Sequence, residues 1–156
     1  MQLDRTDRAL LAELERDARQ SFARLGETVG LSKTPAWKRV QALEREGVIE
    51  GYRALISPHA VGLEIHAFVQ VEVAFERHDA FEAAVKRHPS VLACTATAGD
   101  ADYVLEVRAR TMPDLDQLLR QELCRLPGVK RFSTTIGMKT IKAHGGVMGL
   151  VETAIE

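Results

Sequence analysis

Cationic and hydrogen-bonding side chains are concentrated on one short segment near the N-terminus. Its members are Lys33, Thr34, Lys38, Arg39 and Gln41, and the next acidic residue is Glu44. A cationic surface beside the positive end of a helix dipole suits phosphate. Lysine and arginine would hold phosphates, whereas threonine and glutamine are better suited to the edges of bases. The segment therefore predicts a nucleic acid-binding surface, with an ordinary solvated helix face as the alternative.

One helix with start and stop signals must carry these side chains. Gly30 ends the preceding element, and either Ser32 or Thr34 can cap the new helix. Pro35 fits the first helical turn, where its missing N–H costs nothing. A narrow buried stripe is expected at positions spaced i, i+4, i+7 and i+11, namely Ala36, Val40, Leu43 and Gly47. The last of these is also a natural C-terminal stop.

Trp37 has two interpretations on this helix. It lies one turn from both Lys33 and Gln41. The indole therefore either contacts DNA sugars or bases, or packs against the preceding helix or the segment that follows Gly47. Together with Ser32 and Pro35 of the first turn, it completes the predicted DNA-binding set.

Two shorter amphipathic segments precede this helix. The first runs from Asp4 to Asp17, with Asp4 or Thr6 available as its cap, and the second begins at Ser21 and ends at Gly30. Three helices in such a short stretch, the last two joined by a two-residue turn, are typical of a helix-turn-helix unit. In that unit the last helix enters the major groove of double-stranded DNA.

The segment after this unit is rich in β-branched and aromatic residues. Residues 48–56 therefore predict a strand, either a wing or a tether, before a linker at Ser57 and Pro58. Residues 1–56 contain ten Lys and Arg against nine Asp and Glu, a net charge of +1, while residues 57–156 carry −2. Because the chain is not polybasic, DNA must be bound through one face of one element. We expect dimerisation to double the number of these contacts.

Composition excludes several other classes of protein. The chain has 156 residues, enough for two small domains, and its charged N-terminus does not resemble a signal peptide. No apolar run approaches the roughly 20 residues that span a bilayer, so we expect a cytoplasmic protein with no membrane partner. Cys94 and Cys124 are expected to be buried free thiols, and the five histidines form no metal or catalytic pattern. We therefore expect no enzyme activity, no metal and no cofactor.

The second half of the chain alternates between strand and helix patterns. Strands are expected over residues 65–75, 91–98, 103–110 and 129–142, and the intervening helices begin at Asp79 and Thr111. The order βαββαβ predicts a ferredoxin-like α+β domain, a four-stranded antiparallel sheet with two helices on one face. The other face includes Phe68 and must meet water or another subunit.

Several motifs together resemble the leucine-responsive/asparagine regulator (Lrp/AsnC) family of transcription factors. They are residues 31–35, 39–49, 51–52, 57–58, 99–103 and 126–129. The resemblance covers residues 3 to about 142 and implies a winged helix-turn-helix domain followed by a ferredoxin-like domain of the RAM type. Position 36 is Ala and position 37 is Trp, where many members have Cys and then an aliphatic or charged residue, and the Lys38–Arg39 pair is more basic than in some members.

The resemblance also implies an effector site in the second domain. Family members bind an amino acid between subunits near a turn that here contains Gly99, Asp100, Asp102 and Tyr103, with help from Thr134 and Thr135. A carboxylate can accept from the ammonium group of an amino acid, and glycine lets the backbone approach closely. The alternative for this segment is a plain hairpin turn. The resemblance further implies a homodimer that assembles to an octamer.

These observations predict a sequence-specific transcriptional regulator of amino-acid metabolism, modulated by an amino acid or related metabolite. The expected organisation is a helix-turn-helix domain at 1–50, a strand and linker at 51–64, an effector and oligomerisation domain at 65–142 and a tail at 143–156. The competing hypothesis is a small-molecule-binding oligomer whose N-terminal unit is a protein-interaction module without a DNA role.

Overall fold

The computed structural model describes residues 2–143 and 145–153. Its helices are α1 (Arg5–Arg16), α2 (Phe22–Thr28), α3 (Lys33–Arg45), α4 (His78–Val85), α5 (Met112–Gln117) and α6 (Met148–Thr153). Its strands are β1 (Ile65–Val73), β2 (Val91–Ala96), β3 (Tyr103–Ala109) and β4 (Val129–Ile136). These elements form two compact units, one from residues up to 55 together with the segment from 142, and one from residues 56–141.

The three predicted helices of the first unit form, and their apolar stripes meet in one cluster. Leu10, Leu25, Ala36 and Val40 are fully buried there, one or two from each helix. Asp4 caps α1 in a reciprocal capping box with Asp7. At α3 the N-cap position belongs to Ser32, but its side chain forms no capping hydrogen bond, so the predicted hydroxyl cap at this helix is wrong.

The turn between α2 and α3 depends on a glycine that the sequence interpretation did not single out. Gly26 is buried within α2, and its carbonyl oxygen accepts from the backbone N–H of Leu31 at 2.8 Å. A Cβ at this position would lie only 2.7 Å from the carbonyl oxygen of Leu31 and 3.0 Å from that of Ser32. The missing side chain therefore lets the entry to α3 lie directly against α2.

Residues 48–56 do not form the predicted strand, and the described residues contain no wing. The backbone N–H groups of Val48 and Ile49 instead donate to the carbonyl oxygen of Leu43 at 2.9 and 3.2 Å. These bonds occupy a carbonyl at the end of α3, and Ile49 packs on the cluster of the three helices. The Tyr52 hydroxyl then donates to Glu44 at 2.9 Å. A β-branched segment without a neighbouring strand therefore folds back onto its own helix.

The C-terminal tail, which its sequence left unassigned, contacts α1. The Glu15 carboxylate accepts from the backbone N–H groups of Val147 at 2.6 Å and Met148 at 3.1 Å, and Met148 is buried. These contacts fix the start of α6. Within residues 2–143 and 145–153, no helix combines the length and apolarity needed to cross a membrane.

The second unit is the predicted four-stranded antiparallel sheet, in the order β2-β3-β1-β4. Along β1, Ala67, Val69, Val71 and Val73 are buried against the helices, while the residues between them face the open side. Phe81 of α4 and Leu115 of α5 complete this core. The ferredoxin-like topology is thus confirmed.

Several boundaries in this unit differ from the sequence prediction. Asp79 lies in the first turn of α4 and does not cap it, because a 3-10 turn over Phe75–Arg77 leads directly into the helix. α5 continues as a π-helical segment over Leu118–Glu122. The final strand ends at Ile136 rather than 142, because its pairing with β1 ends there.

Both cysteines are free, but the expectation that they are buried is wrong within this chain. Cys94 lies on β2, which forms one edge of the sheet and is largely exposed. Cys124 lies at the surface of the turn that follows the π-helical segment. An alternating or helical pattern predicts which face a residue lies on, whereas exposure at an edge depends on strand order.

Tyr103 contributes a buried polar group to the core of the second unit. Its ring packs on Phe81, with 4.7 Å between centroids, and its hydroxyl donates to Glu82 at 2.9 Å. Nδ1 of His78 lies 2.9 Å from the same oxygen. Burial, aided by the bond to Glu82, raises the pKa of Tyr103 to about 12. Partial burial and the bond to Glu44 likewise raise the pKa of Tyr52 to about 12.

Replacement of Gly26 by valine should destabilise the protein by about 1–3 kcal/mol, because the added Cβ meets backbone that cannot move without shifting α3. The measurement is the free energy of unfolding in urea. Thr28→Val, on the exposed side of the same helix, is the control and should change it by less than about 0.5 kcal/mol. Equal effects of the two substitutions would contradict the close approach.

Alkaline titration should leave both tyrosines of the chain protonated well above their ordinary pKa of 10.0. A folded-state pKa above the unfolded value means that the resulting stabilisation is complete below pH 10 and is lost as the pH rises toward 12. Tyrosinate absorbance should therefore appear near pH 10 for protein in guanidinium and only nearer pH 12 for folded protein. Coincident curves would show that neither hydroxyl is held as described.

Candidate DNA-binding helix and ligand-binding turn

The buried stripe of α3 leaves an opposite stripe of exposed side chains, which we name the outward stripe. It consists of Thr34, Lys38, Gln41 and Arg45, at spacings of i, i+4, i+7 and i+11. Ser32, Lys33 and Pro35 are exposed beside its first turn. Its members thus present a hydroxyl, an amide and two cations to solvent on one side of the helix.

Trp37 lies beside the outward stripe and is 45% exposed. Its ring is not among the residues that pack on the apolar cluster of the three helices. A ring exposed to this extent is accessible from the side of the outward stripe, which is what the DNA-contact interpretation of Trp37 requires. The indole is accessible next to Thr34 and Gln41, which are its neighbours three residues before and four residues after.

Arg39 does not belong to the outward stripe, in contrast to the sequence prediction. Its guanidinium forms ion pairs at 2.7 Å with both Asp4 and Asp7, the carboxylates of the α1 capping box. Asp7 is only 7% exposed, so the Arg39–Asp7 ion pair ties α3 to the start of α1 at a partly buried point. The backbone N–H of Asp7 and the Arg39 guanidinium hold the pKa of Asp4 below its usual value. The charge of Arg39 is therefore offset within the chain.

Glu44 is the first acidic residue after the basic turns, and it contacts the outward stripe. One of its carboxylate oxygens accepts from Nε2 of Gln41 at 2.7 Å, and the other accepts from the Tyr52 hydroxyl at 2.9 Å. The sequence interpretation treated Glu44 only as the end of the cationic segment. The signal available in the sequence was its spacing of three residues from Gln41, which places the two side chains side by side on a helix.

The turn predicted to bind the effector is held by its own hydrogen bonds and by β1. The Thr97 hydroxyl donates to the carbonyl oxygen of Ala101 at 2.6 Å. The Asp102 carboxylate accepts from the backbone N–H of Val73 at 2.8 Å, and the Asp102 N–H donates to Val71. Asp102 thus joins the turn to the central strand, whereas Gly99 and Asp100 remain exposed.

The other predicted effector residues lie on two different faces of the sheet. Tyr103 is 4% exposed and faces the helices. Thr134 pairs with Val69 and shares its helix-covered face, whereas Thr135 pairs with Phe68 on the open face. The Thr134 hydroxyl is buried and finds no hydrogen-bond partner among the described residues. The six residues therefore do not converge on one surface of this unit.

A cavity of about 210 Å³ lies on the open face beside the turn. It is lined by Gln70, Glu72, Asp100, Ala101, Arg131, Phe132 and Ser133. Only Asp100 among these was predicted as an effector residue. Arg131 pairs with Glu72 at 2.7 Å, so one guanidinium and two carboxylates surround the cavity. The alternation along β1 placed Gln70 on the open face, but its neighbours on β4 depend on strand register.

Two family profiles match the chain. The AsnC-type helix-turn-helix domain matches residues 3–44, and the Lrp/AsnC ligand binding domain matches residues 66–147. The first match contains α1, α2 and all but the last residue of α3, and the second contains all but the first residue of β1 and the whole of β2 to β4.

Curated relatives and solved structures agree with these profiles. The leucine-responsive regulatory proteins of Salmonella typhimurium and Escherichia coli are 41% and 40% identical to the chain, over 90% of its length and 87% of theirs. A transcriptional regulator from Neisseria meningitidis, solved as a complex with L-methionine, aligns with a TM-score of 0.88 at 32% identity, over 93% of this chain and 96% of that one.

A feast or famine regulatory protein from M. tuberculosis, also complexed with L-methionine, aligns with a TM-score of 0.85 at 35% identity, over 91% and 96% of the two chains. Profiles, relatives and folds agree across both units, and this family consists of transcriptional regulators rather than enzymes. The chain belongs to the Lrp/AsnC family of transcriptional regulators, with a helix-turn-helix DNA-binding domain and a ligand-binding domain.

Proposed function

We propose that the chain reads a specific DNA sequence with the outward stripe of α3. The observation that carries this proposal is the exposure of Thr34, Lys38 and Gln41 on one side of a helix whose other side is fully buried. An exposed helix stripe with a hydroxyl, an amide and cations at its N-terminal end suits the major groove, where bases present both donors and acceptors.

The residues of α3 divide into three roles in this proposal. Lys33 and Lys38 neutralise phosphates of the DNA. Ser32 and Pro35, at the start of the helix, lie near the same DNA strand. Thr34 and Gln41 contact base edges, and Trp37 lies against the DNA beside them. Arg39 is a positioning residue, because its charge is already paired with two carboxylates of α1.

We infer that two copies of the chain bind DNA as a dimer and that dimers assemble further, up to an octamer. One helix supplies few phosphate contacts, and a two-fold dimer doubles them on half-sites one helical turn apart. The open face of the sheet supports association, since Phe68 on this face leaves 37% of its surface exposed and Leu92 on the edge strand β2 leaves 58% exposed.

The proposed effector is an amino acid bound in the cavity beside the turn, close to where subunits meet. Two structural neighbours were solved with L-methionine, which makes this amino acid the first candidate. Asp100 offers a carboxylate for the ammonium group, and Arg131 offers a guanidinium for the carboxylate of the ligand. Binding at such a site would alter DNA affinity through the assembly of subunits.

Lys38→Ala should weaken DNA binding and reduce its dependence on salt, because each neutralised phosphate contributes about 0.9 to the slope of log affinity against log salt. Arg39→Ala should weaken binding without changing the slope and should lower the melting temperature, because it breaks the link between α3 and α1. The measurement is a mobility shift on the upstream region of the protein's own gene at several salt concentrations.

The exposed Lys86, which lies after α4, gives the matched control, since Lys86→Ala removes one cation outside the proposed surface. The fluorescence of Trp37, the single tryptophan of the chain, provides a second signal that arises from α3 itself. If Lys38→Ala leaves both affinity and slope unchanged, α3 does not contact DNA in the proposed way.

Saturating L-methionine or another amino acid should raise the melting temperature, since ligand at 100 times its Kd stabilises a protein by about 2.7 kcal/mol. Asp100→Asn and Arg131→Gln should each abolish most of that increase. Asp116→Asn, an exposed carboxylate of α5 outside the cavity lining, should not. Melting curves with each of the amino acids test this, and an unchanged melting temperature across the whole set would exclude an amino-acid effector.

A further inference from the structure

We propose that Glu44, held in place by Tyr52, is a positioning residue that orients the Gln41 amide for a bidentate contact with adenine. This inference rests on the proposed function, because it assigns a role within the surface that reads DNA. It concerns a short chain of hydrogen bonds from Tyr52 to Glu44 to Gln41, which we name the Gln41 relay.

The Glu44 carboxylate is held from two sides. Its Oε1 accepts from the Tyr52 hydroxyl at 2.9 Å, and its Oε2 accepts from Nε2 of Gln41 at 2.7 Å. Tyr52 is itself placed by the fold of the segment after α3, where the N–H groups of Val48 and Ile49 donate to Leu43. The carboxylate is therefore fixed relative to the helix before any ligand arrives.

A carboxylate in this position determines which way the glutamine amide faces. An ionised carboxylate only accepts hydrogen bonds, so Glu44 can bind the NH₂ end of Gln41 but not its oxygen. Nε2 of Gln41 keeps a second hydrogen to donate, and Oε1 of Gln41 remains free to accept. Rotation of the amide by half a turn would place two acceptors against each other, which disfavours the reversed orientation.

The orientation fixed in this way matches the requirements of adenine. In the major groove adenine presents an N6–H donor and an N7 acceptor, and a glutamine amide can pair with both at once. Pairing requires the amide oxygen on N6 and an amide hydrogen on N7. A side chain ordered in advance loses less conformational freedom on binding, so the Gln41 relay should add to base discrimination.

The negative charge of Glu44 allows its orienting role to be distinguished from a purely electrostatic effect on DNA binding. A carboxylate beside a DNA-binding surface repels phosphates, so its removal alone should strengthen binding to any DNA. If Glu44 orients Gln41, its removal should also weaken the preference for the correct sequence. Affinity for random DNA and specificity should therefore change in opposite directions.

The experiment compares Glu44→Ala with Glu46→Ala in the full chain. Glu46 is an exposed acid at the end of the same helix, 3.7 Å from Arg45, so both variants lose one negative charge. Affinities for the preferred site and for random DNA are measured at one salt concentration. The specificity ratio is the affinity for the preferred site divided by the affinity for random DNA. We expect it to fall about fivefold or more for Glu44→Ala, which is the lower end of the discrimination that a bidentate contact provides, and to stay unchanged for Glu46→Ala.

Tyr52→Phe provides a milder variant that removes a single hydroxyl and leaves the charge of Glu44 intact. It should reduce the specificity ratio in the same direction but less than Glu44→Ala. Retained binding to random DNA shows for each variant that the domain is folded. A Glu44→Ala protein that fails to fold would leave Tyr52→Phe to decide the question.

Base preferences are then recovered from a randomised DNA pool for wild type, Gln41→Ala, Glu44→Ala and the double variant. The position relaxed by Gln41→Ala should be an adenine, Glu44→Ala should relax the same position, and the double variant should resemble Gln41→Ala. Replacing that adenine by 7-deazaadenine, which lacks the N7 acceptor, should weaken wild type about fivefold but not Glu44→Ala.

The possible failures are distinguishable. A wild-type protein that binds random DNA as tightly as any selected site would contradict the proposed function itself. If wild type selects a site and Gln41→Ala relaxes it, but Glu44→Ala and Tyr52→Phe relax nothing, only the Gln41 relay is excluded. The relay is also excluded if Gln41→Ala changes no base preference.

Discussion

Burial of one narrow stripe of α3 is the constraint on which the DNA-binding unit depends. Ala36, Val40 and Leu43 are fully buried, and the first two pack in one cluster with apolar residues of α1 and α2 that would otherwise be exposed. Because a helix repeats every 3.6 residues, fixing this stripe also fixes the opposite one. The exposure of Thr34, Lys38 and Gln41 is thus a consequence of packing, and no separate interaction is needed to present them.

Local periodicity explains how much of the fold could be predicted from the sequence. The helices of the first unit and the alternation in β1 and β3 depend on residues that are close together in the sequence. Their patterns can therefore be recognised from the sequence alone. The strand predicted for residues 48–56 failed because a strand also needs a partner. The nearest acceptor for Val48 and Ile49 was the end of their own helix.

The candidate sites were harder to predict because they depend on contacts between distant residues. The sequence placed Arg39 among the DNA contacts, but its position was decided by two carboxylates more than thirty residues away. Asp102 was chosen as a ligand contact, yet its carboxylate accepts from the backbone of β1. Arg131 and Ser133 reach the cavity only through the register of β4 against β1.

Acidic residues reduce the free positive charge of the first unit and, in the proposed mode of binding, balance affinity against selectivity. Asp4 and Asp7 neutralise Arg39, and Glu44 lies beside the outward stripe, so the unit gives up part of the positive charge that attracts DNA. In exchange α3 is fixed against α1 and the Gln41 amide is oriented. We expect one copy of such a unit to bind weakly, because phosphate contacts supply most of the affinity for DNA. In the proposed dimer a second copy would restore the affinity, while the orientation of each helix would preserve the selectivity.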